Sequence, residues 1–257
     1  MLKTRAHRRG LVAALLGVSV GLVNVGCLSS GPAASSTVTG AARETVAPPE
    51  APTPWGLTPD IRVSVEEWAE FIGAVPVDSV EAARRQVAFE VALPDQLAGM
   101  PRSHLFVTSS GGATAEVLDT DGVSSSYTPP APALEERVVY AFYGDIGVYV
   151  GPSGWPATVD AAQVEEEFIE GLLSGTGMRE TRSVLSVNSF KAVGWSQGTH
   201  HVRSENPEQE AGFDVVYTNS VVTWIQEGVQ LSVSSFSRTH DELLPCAEEV
   251  AREYEAR

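Results

Sequence analysis

Apolar and polar positions divide the chain into three stretches of different rhythm. Leu11 to Gly26 is an apolar run broken by no charge, and Ser29 to about Pro59 has no period at all. Beyond Asp60 the apolar residues return, either alternating with polar ones or recurring every three to four positions, as strands and amphipathic helices require. In this third stretch the spacing predicts helices over Val63–Gly73, over Ser79–Gln86 behind an Asp78 or Ser79 cap, over Thr158–Leu173, and from Thr239 to about Tyr254. In the helix over 158–173, Val159, Ala162, Phe168, Ile169, Leu172 and Leu173 are expected to face inward, with Glu165, Glu166 and Glu167 mostly toward water. In the last helix Thr239 and Glu242 form a capping box, Leu243, Ala247, Val250 and Tyr254 make an apolar stripe, and Pro245 is expected to distort the first turn.

Strands are predicted over Val87–Leu93, His104–Ser109, Arg137–Tyr143, Gly147–Val150, Arg182–Val187, Phe190–Gln197, Asp214–Thr218, Val221–Gln226 and Val229–Ser235. Ser110–Ala133 reads as loop with a short strand at Glu116–Leu118. Within the last five strands, Asn188-Ser189, Asn219-Ser220 and Glu227-Gly228 are two-residue turns. Parallel neighbours would need crossovers of a dozen residues, so these form an antiparallel meander. The expected fold is α+β: an antiparallel β-meander sheet covered by a few helices, following a signal peptide and a disordered tether.

The first two stretches assign the chain's destination. Lys3, Arg5, Arg8 and Arg9 precede the apolar run, and no acidic residue occurs before Cys27, which is the charge order of a signal peptide. The run is 16 residues long, against about 20 for a bilayer-spanning helix. Gly26, Cys27 and Leu28-Ser29-Ser30-Gly31 then resemble a bacterial lipobox, although its usual aliphatic residue three before the cysteine is replaced by Asn24. The predicted organisation is a lipoprotein-type signal peptide over 1–26, a flexible tether over 27–59, and a single extracytoplasmic domain over 60–257. Lipidation at Cys27 would hold the protein on the outer face of the cytoplasmic membrane. His7-Arg8-Arg9 also fits a twin-arginine export signal. About 30 tether residues rich in Ser, Thr, Ala, Gly and Pro give a mean reach of roughly 30 Å.

Charge excludes one class of partner. The chain carries 17 basic and 33 acidic residues, and removal of residues 1–26 takes four positive charges with it, lowering the formal net charge from −16 to −20. Such a surface repels phosphates, so no nucleic acid partner is expected, and only the lipid, not the protein surface, would bind the membrane. There are two cysteines. With Cys27 acylated, Cys246 lies unpaired on the buried stripe of the last helix and is expected to be a structural thiol.

Ser79-Val80-Glu81-Ala82-Ala83, then Val87-Ala88-Phe89 and Leu93-Pro94, resemble the opening of an uncharacterised extracytoplasmic domain found in Gram-positive lipoproteins and at anti-sigma-factor C-termini. Val222-Thr223-Trp224, Gly228, Leu231-Ser232-Val233 and Glu242-Leu243-Leu244 resemble its closing strand pair and final helix. The resemblance spans roughly 75–255 and departs at Leu97-Ala98-Gly99-Met100-Pro101, where the family has a Leu-Pro-x-Gly turn. It implies an α+β sensing or binding domain and carries over no catalytic residues.

Candidate chemistry is sparse. Among motifs with a mechanism, His-Glu-x-x-His, Cys-x-x-Cys and a phosphate-cradling glycine loop do not occur, and no Gly-x-Ser-x-Gly nucleophile elbow is expected. Ser109-Ser110-Gly111-Gly112 and Gly151-Pro152-Ser153-Gly154 read as turns. Asp119-Thr120-Asp121-Gly122 starts like a calcium loop without the later acidic ligand. His200 and His201 would point to opposite faces of a strand, unless a loop joined them to Glu205 or Glu208. No enzyme activity, cofactor or metal is therefore expected. The primary expectation is a non-enzymatic binding or interaction module for an unknown envelope protein. A carrier of lipid or another apolar ligand, its cavity lined by Trp195, Tyr217, Trp224 and Phe236, is one alternative, and an envelope hydrolase with an unrecognised site is another.

Overall fold

The structure, a computed structural model, describes residues 64–113, 115–118, 124–155, 158–174, 178–202 and 213–256. The proposed signal peptide, Cys27, the tether, Asp119–Gly122, Glu205 and Glu208 lie outside them. The domain is α+β, built on one eight-stranded antiparallel sheet. In chain order its elements are α1 (Val65–Phe71), β1 (Ala74–Pro76), α2 (Val80–Arg84), β2 (Gln96–Leu97), β3 (Met100–Pro101), β4 (His104–Thr108), β5 (Ala115–Leu118) and β6 (Ser124–Tyr127). A 3-10 turn at Leu134–Glu136, β7 (Val139–Tyr143), β8 (Ile146–Pro152), α3 (Ala161–Leu173) and α4 (Met178–Thr181) follow. The chain closes with β9 (Ser183–Val187), β10 (Phe190–Trp195), β11 (Gly198–Val202), β12 (Phe213–Tyr217), β13 (Ser220–Gln226), β14 (Val229–Ser235) and α5 (His240–Glu255).

The sheet order, β1-β4-β7-β8-β14-β13-β10-β9, contains two halves of the same plan. Each runs strand, strand, an inserted two-stranded ribbon, strand, strand: β1, β4, the β5–β6 ribbon, β7 and β8 in the first, and β9, β10, the β11–β12 ribbon, β13 and β14 in the second. The halves join last strand to last strand. β8 and β14 are both seven residues long and pair along their full length, from Ile146 opposite Ser235 to Pro152 opposite Val229.

Period-two alternation on these strands feeds two faces. Val139, Ala141, Ile146, Val148 and Val150 on one half, and Val222, Trp224, Val229, Leu231 and Val233 on the other, form a continuous core under α2 and α5. The opposite face carries two smaller cores. Trp68 of α1 sits edge-on to Tyr140 and Phe142, and Phe168, Ile169 and Leu172 of α3 cover Val193, Trp195, Val221 and Ile225.

Several expectations are corrected. Val87–Leu93 is not a strand but a buried irregular segment: Val91 and Ala92 are wholly buried. Side chains meet its carbonyls in place of a ladder, with Arg84 Nε donating to Val91 O at 2.8 Å and Tyr143 Oη to Pro94 O at 2.7 Å. The terminal meander has four strands in the sheet and not five, because β12 pairs with the unforeseen β11 and β10 pairs directly with β13. On α3, Ala162 is exposed and Val164 takes an inward place. The Thr239–Glu242 capping box is present, and α5 continues unbroken through Pro245.

Candidate functional site

The residues singled out in the sequence are mostly structural. Cys246 is buried, and burial pushes its thiol pKa up. Arg238 lies near enough to oppose that shift, but it is the smaller influence. Ser110 donates to the Gly73 carbonyl and Ser153 accepts the Trp155 main-chain N–H, so both serve turns. His200 turns toward Tyr217 and its Nε2 meets the Ser196 carbonyl at 3.0 Å, while His201 is exposed. Among the described residues no three His, Cys, Asp or Glu side chains gather as a metal site, and no helix is long and apolar enough to cross a membrane. Of the aromatic residues offered as a cavity lining, Trp224 is wholly buried in the main core, Trp195 packs beneath α3 with the half-buried Tyr217 against the same cluster, and Phe236 is half-buried outside these cores.

One constellation with the order of a hydrolase was not foreseen, although the sequence marks its serine: Gly194-Trp195-Ser196-Gln197-Gly198 has the spacing of a nucleophile elbow, which here joins two strands, β10 and β11, and not a strand to a helix. Ser196 Oγ lies 2.8 Å from His240 Nδ1, and His240 Nε2 lies 3.5 Å from Asp241 Oδ1. The serine, however, also accepts the His240 main-chain N–H at 3.1 Å. Two further donors of α5 are engaged as well, Glu242 N–H by Thr239 Oγ1 and Leu243 N–H by the Thr239 carbonyl. An acyl-transfer site needs free donors where the oxyanion forms, and the N–H groups of His240, Glu242 and Leu243 are already bonded at the helix start. Gly194 completes the fit, since a Cβ there would stand 2.5 Å from Leu185 Cδ1 and 3.1 Å from His240 Cδ2. This group fastens α5 to the end of β10.

A second unforeseen assembly lies at the opposite end of α5, where four separate parts of the chain enclose a cleft of about 290 Å³. Its lining includes Phe89 and Glu90 from the irregular segment, Trp155 from beyond β8, Glu227 and Val229 from the β13–β14 turn, and Tyr254 from the last turn of α5. Each wall is fixed. Tyr254 is nearly fully buried and its hydroxyl donates to the Glu90 carbonyl at 3.4 Å. Burial raises its pKa, the carboxylates of Glu90 and Glu227 add to the effect, and it stays a neutral donor. The Trp155 indole N–H donates to Glu167 of α3 at 3.3 Å, and its ring meets Phe168 edge-on.

The acidic rim is asymmetric. Glu90 pairs with Arg84 at 3.0 Å, whereas among the described residues no cation pairs with Glu227. Glu227 also adopts a left-handed backbone, φ 52°, beside Gly228 at φ 79°. Two successive positive-φ residues make the turn that matches strand twist, and Asn-Gly or Asp-Gly ordinarily fill it. A residue with a full side chain there costs about 1–2 kcal/mol. That departure from Asn or Asp before glycine was the available sequence signal for the site; nothing local marks Phe89 or Trp155. Compared with family models, curated proteins and solved structures, the chain matches none.

Proposed function

We propose that the protein is an extracytoplasmic lipoprotein whose α+β domain is a non-enzymatic binding module, with the cleft between Phe89, Trp155, Glu227 and Tyr254 as its site. The basic n-region, the apolar run and the lipobox-like Gly26-Cys27 favour export and acylation. The observation that carries the binding reading is the cleft itself: aromatic walls and a carboxylate with no paired cation among the described residues converge from four places in the sequence, as ligand sites do. Its volume lies just below the roughly 300–1,000 Å³ typical of sites for drug-sized ligands, so it suits a head group or a side-chain tip.

The test has two arms. Cys27→Ser should move the protein out of the membrane fraction and abolish incorporation of an acyl label, because the thioether cannot form; retention in membranes would overturn the anchoring half. For binding, amide resonances of 88–90 and 227–229 should move with a member of a solute panel spanning amines, sugars, dipeptides and fatty acids. Silence toward the entire panel would overturn the site.

A further inference from the structure

This inference rests on the binding reading and names the guest. We infer that the cleft at the β13–β14 turn binds a quaternary ammonium cation. Electron-rich ring faces attract cations, and quaternary ammonium is the guest that aromatic enclosures favour. Phe89, Trp155 and Tyr254 supply the rings. The polar atoms of the last two are already bonded, to Glu167 and to the Glu90 carbonyl, so they present carbon to a guest. Glu227 supplies the counter-charge, held at the mouth by a turn that another residue would adopt more easily.

The acceptors favour methylated over primary ammonium. A primary ammonium brings three N–H donors that must be satisfied on leaving water. Here the Gly228 carbonyl already accepts the Ser153 N–H at 3.1 Å, the Glu90 carbonyl accepts Tyr254, and the Glu90 carboxylate pairs with Arg84. Of the two carboxylates only Glu227 has no paired cation among the described residues, and a primary ammonium would have to share the other acceptors with partners already bound. A trimethylammonium group needs none of them; it needs apolar walls and one diffuse negative charge. The acidic balance of the whole chain adds a field that draws cations and turns anions away.

The test uses the full-length protein and reads amide shifts at 88–90 and 227–229 during titration with choline. Saturable shifts are expected, with 3,3-dimethylbutan-1-ol, the uncharged carbon isostere, and ethanolamine, the primary amine, each binding at least about tenfold more weakly. Glu227→Gln should weaken choline by about tenfold while leaving the rest of the spectrum in place. Trp155→Leu should weaken it in the same way without touching the charge. Binding of phosphatidylcholine vesicles as well as free choline assigns a lipid head group as the source, and response to free choline alone assigns a soluble guest. Equal response to choline and its neutral isostere, or shifts confined to other amides, would overturn the proposal. If a sugar, dipeptide or fatty acid moves these amides and no ammonium does, the cation is wrong and the binding module stands. No response to any solute removes both.

Discussion

Asp145 shows how much one side chain in a turn can hold. It sits between β7 and β8 and takes two bonds from Arg238, at 2.8 and 3.0 Å, with Ser235 and Ser237 donating to the same carboxylate. The Arg238 bonds in particular hold its pKa down at about 2. A depressed carboxylate stabilises above its unfolded pKa, and the contribution is lost as pH falls through the folded value. Asp145→Asn should therefore cost about 2 kcal/mol at pH 7 and little at pH 2, read by urea unfolding at both. The buried tyrosines work at the other extreme. Burial raises the hydroxyl pKa of Tyr143 and Tyr149 to about 12 and raises Tyr140 and Tyr254 in the same direction. Their neutral forms stabilise fully below about pH 10, the ordinary tyrosine value, and that stability drains away as pH climbs through about 12. Phenolate absorbance and loss of circular dichroism should rise together in that window. At Glu227 the expected sign is opposite to that at most surface sites: Glu227→Asn relaxes the left-handed turn and should stabilise by roughly 0.5–1 kcal/mol in thermal unfolding. The buried role of Cys246 was legible from its spacing alone. Ser196 was marked by its Gly-x-Ser-x-Gly spacing, but its pairing with His240 was not, because 44 positions separate partners whose meeting depends on where β10 ends and α5 begins.

Elements with their own period were read well, and elements defined by a partner were not. The stripe of α5 was plain, and Leu243, Ala247 and Val250 are wholly buried. Deleting residues 240–257 removes several side chains that each contribute about 1.5–3 kcal/mol, from a total of about 5–15 kcal/mol. The truncated protein should show no cooperative thermal transition; one near that of the intact chain would mean the helix is dispensable. Gln226 reinforces the attachment, since its amide accepts the Trp224 indole N–H and donates to the Ala251 carbonyl. Its counterpart at the end of β7, Tyr143, ties down the segment at Pro94 in the same manner. That segment was misread because Val87–Leu93 is as apolar as a strand. What distinguishes it is the set of side chains that take its carbonyls, and those are spread from Arg84 to Tyr254. β11 and β12 pose the same problem in reverse: the alternation of β12 was visible, but alternation does not say which edge a strand will join.

At the scale of the whole molecule, two similar halves could behave as two folding units, yet the packing opposes it. The core under α2 and α5 runs without a break from Val139 to Val233 across the β8–β14 seam. Unfolding followed by tryptophan fluorescence and by circular dichroism should give coincident curves; separated midpoints would mean that the halves melt independently. The seam also imposes an order in time. When β8 leaves the ribosome its partner has not been made, since β14 lies about 80 residues later, a delay of roughly 4–16 s at ordinary rates of synthesis. For that interval the middle of the future sheet is an open edge, with Val148 and Val150 beside it and every other backbone group seeking a partner. The central ladder of the finished protein is thus an open edge of the nascent chain, and the step that shields the chain against self-association comes near the end of its synthesis.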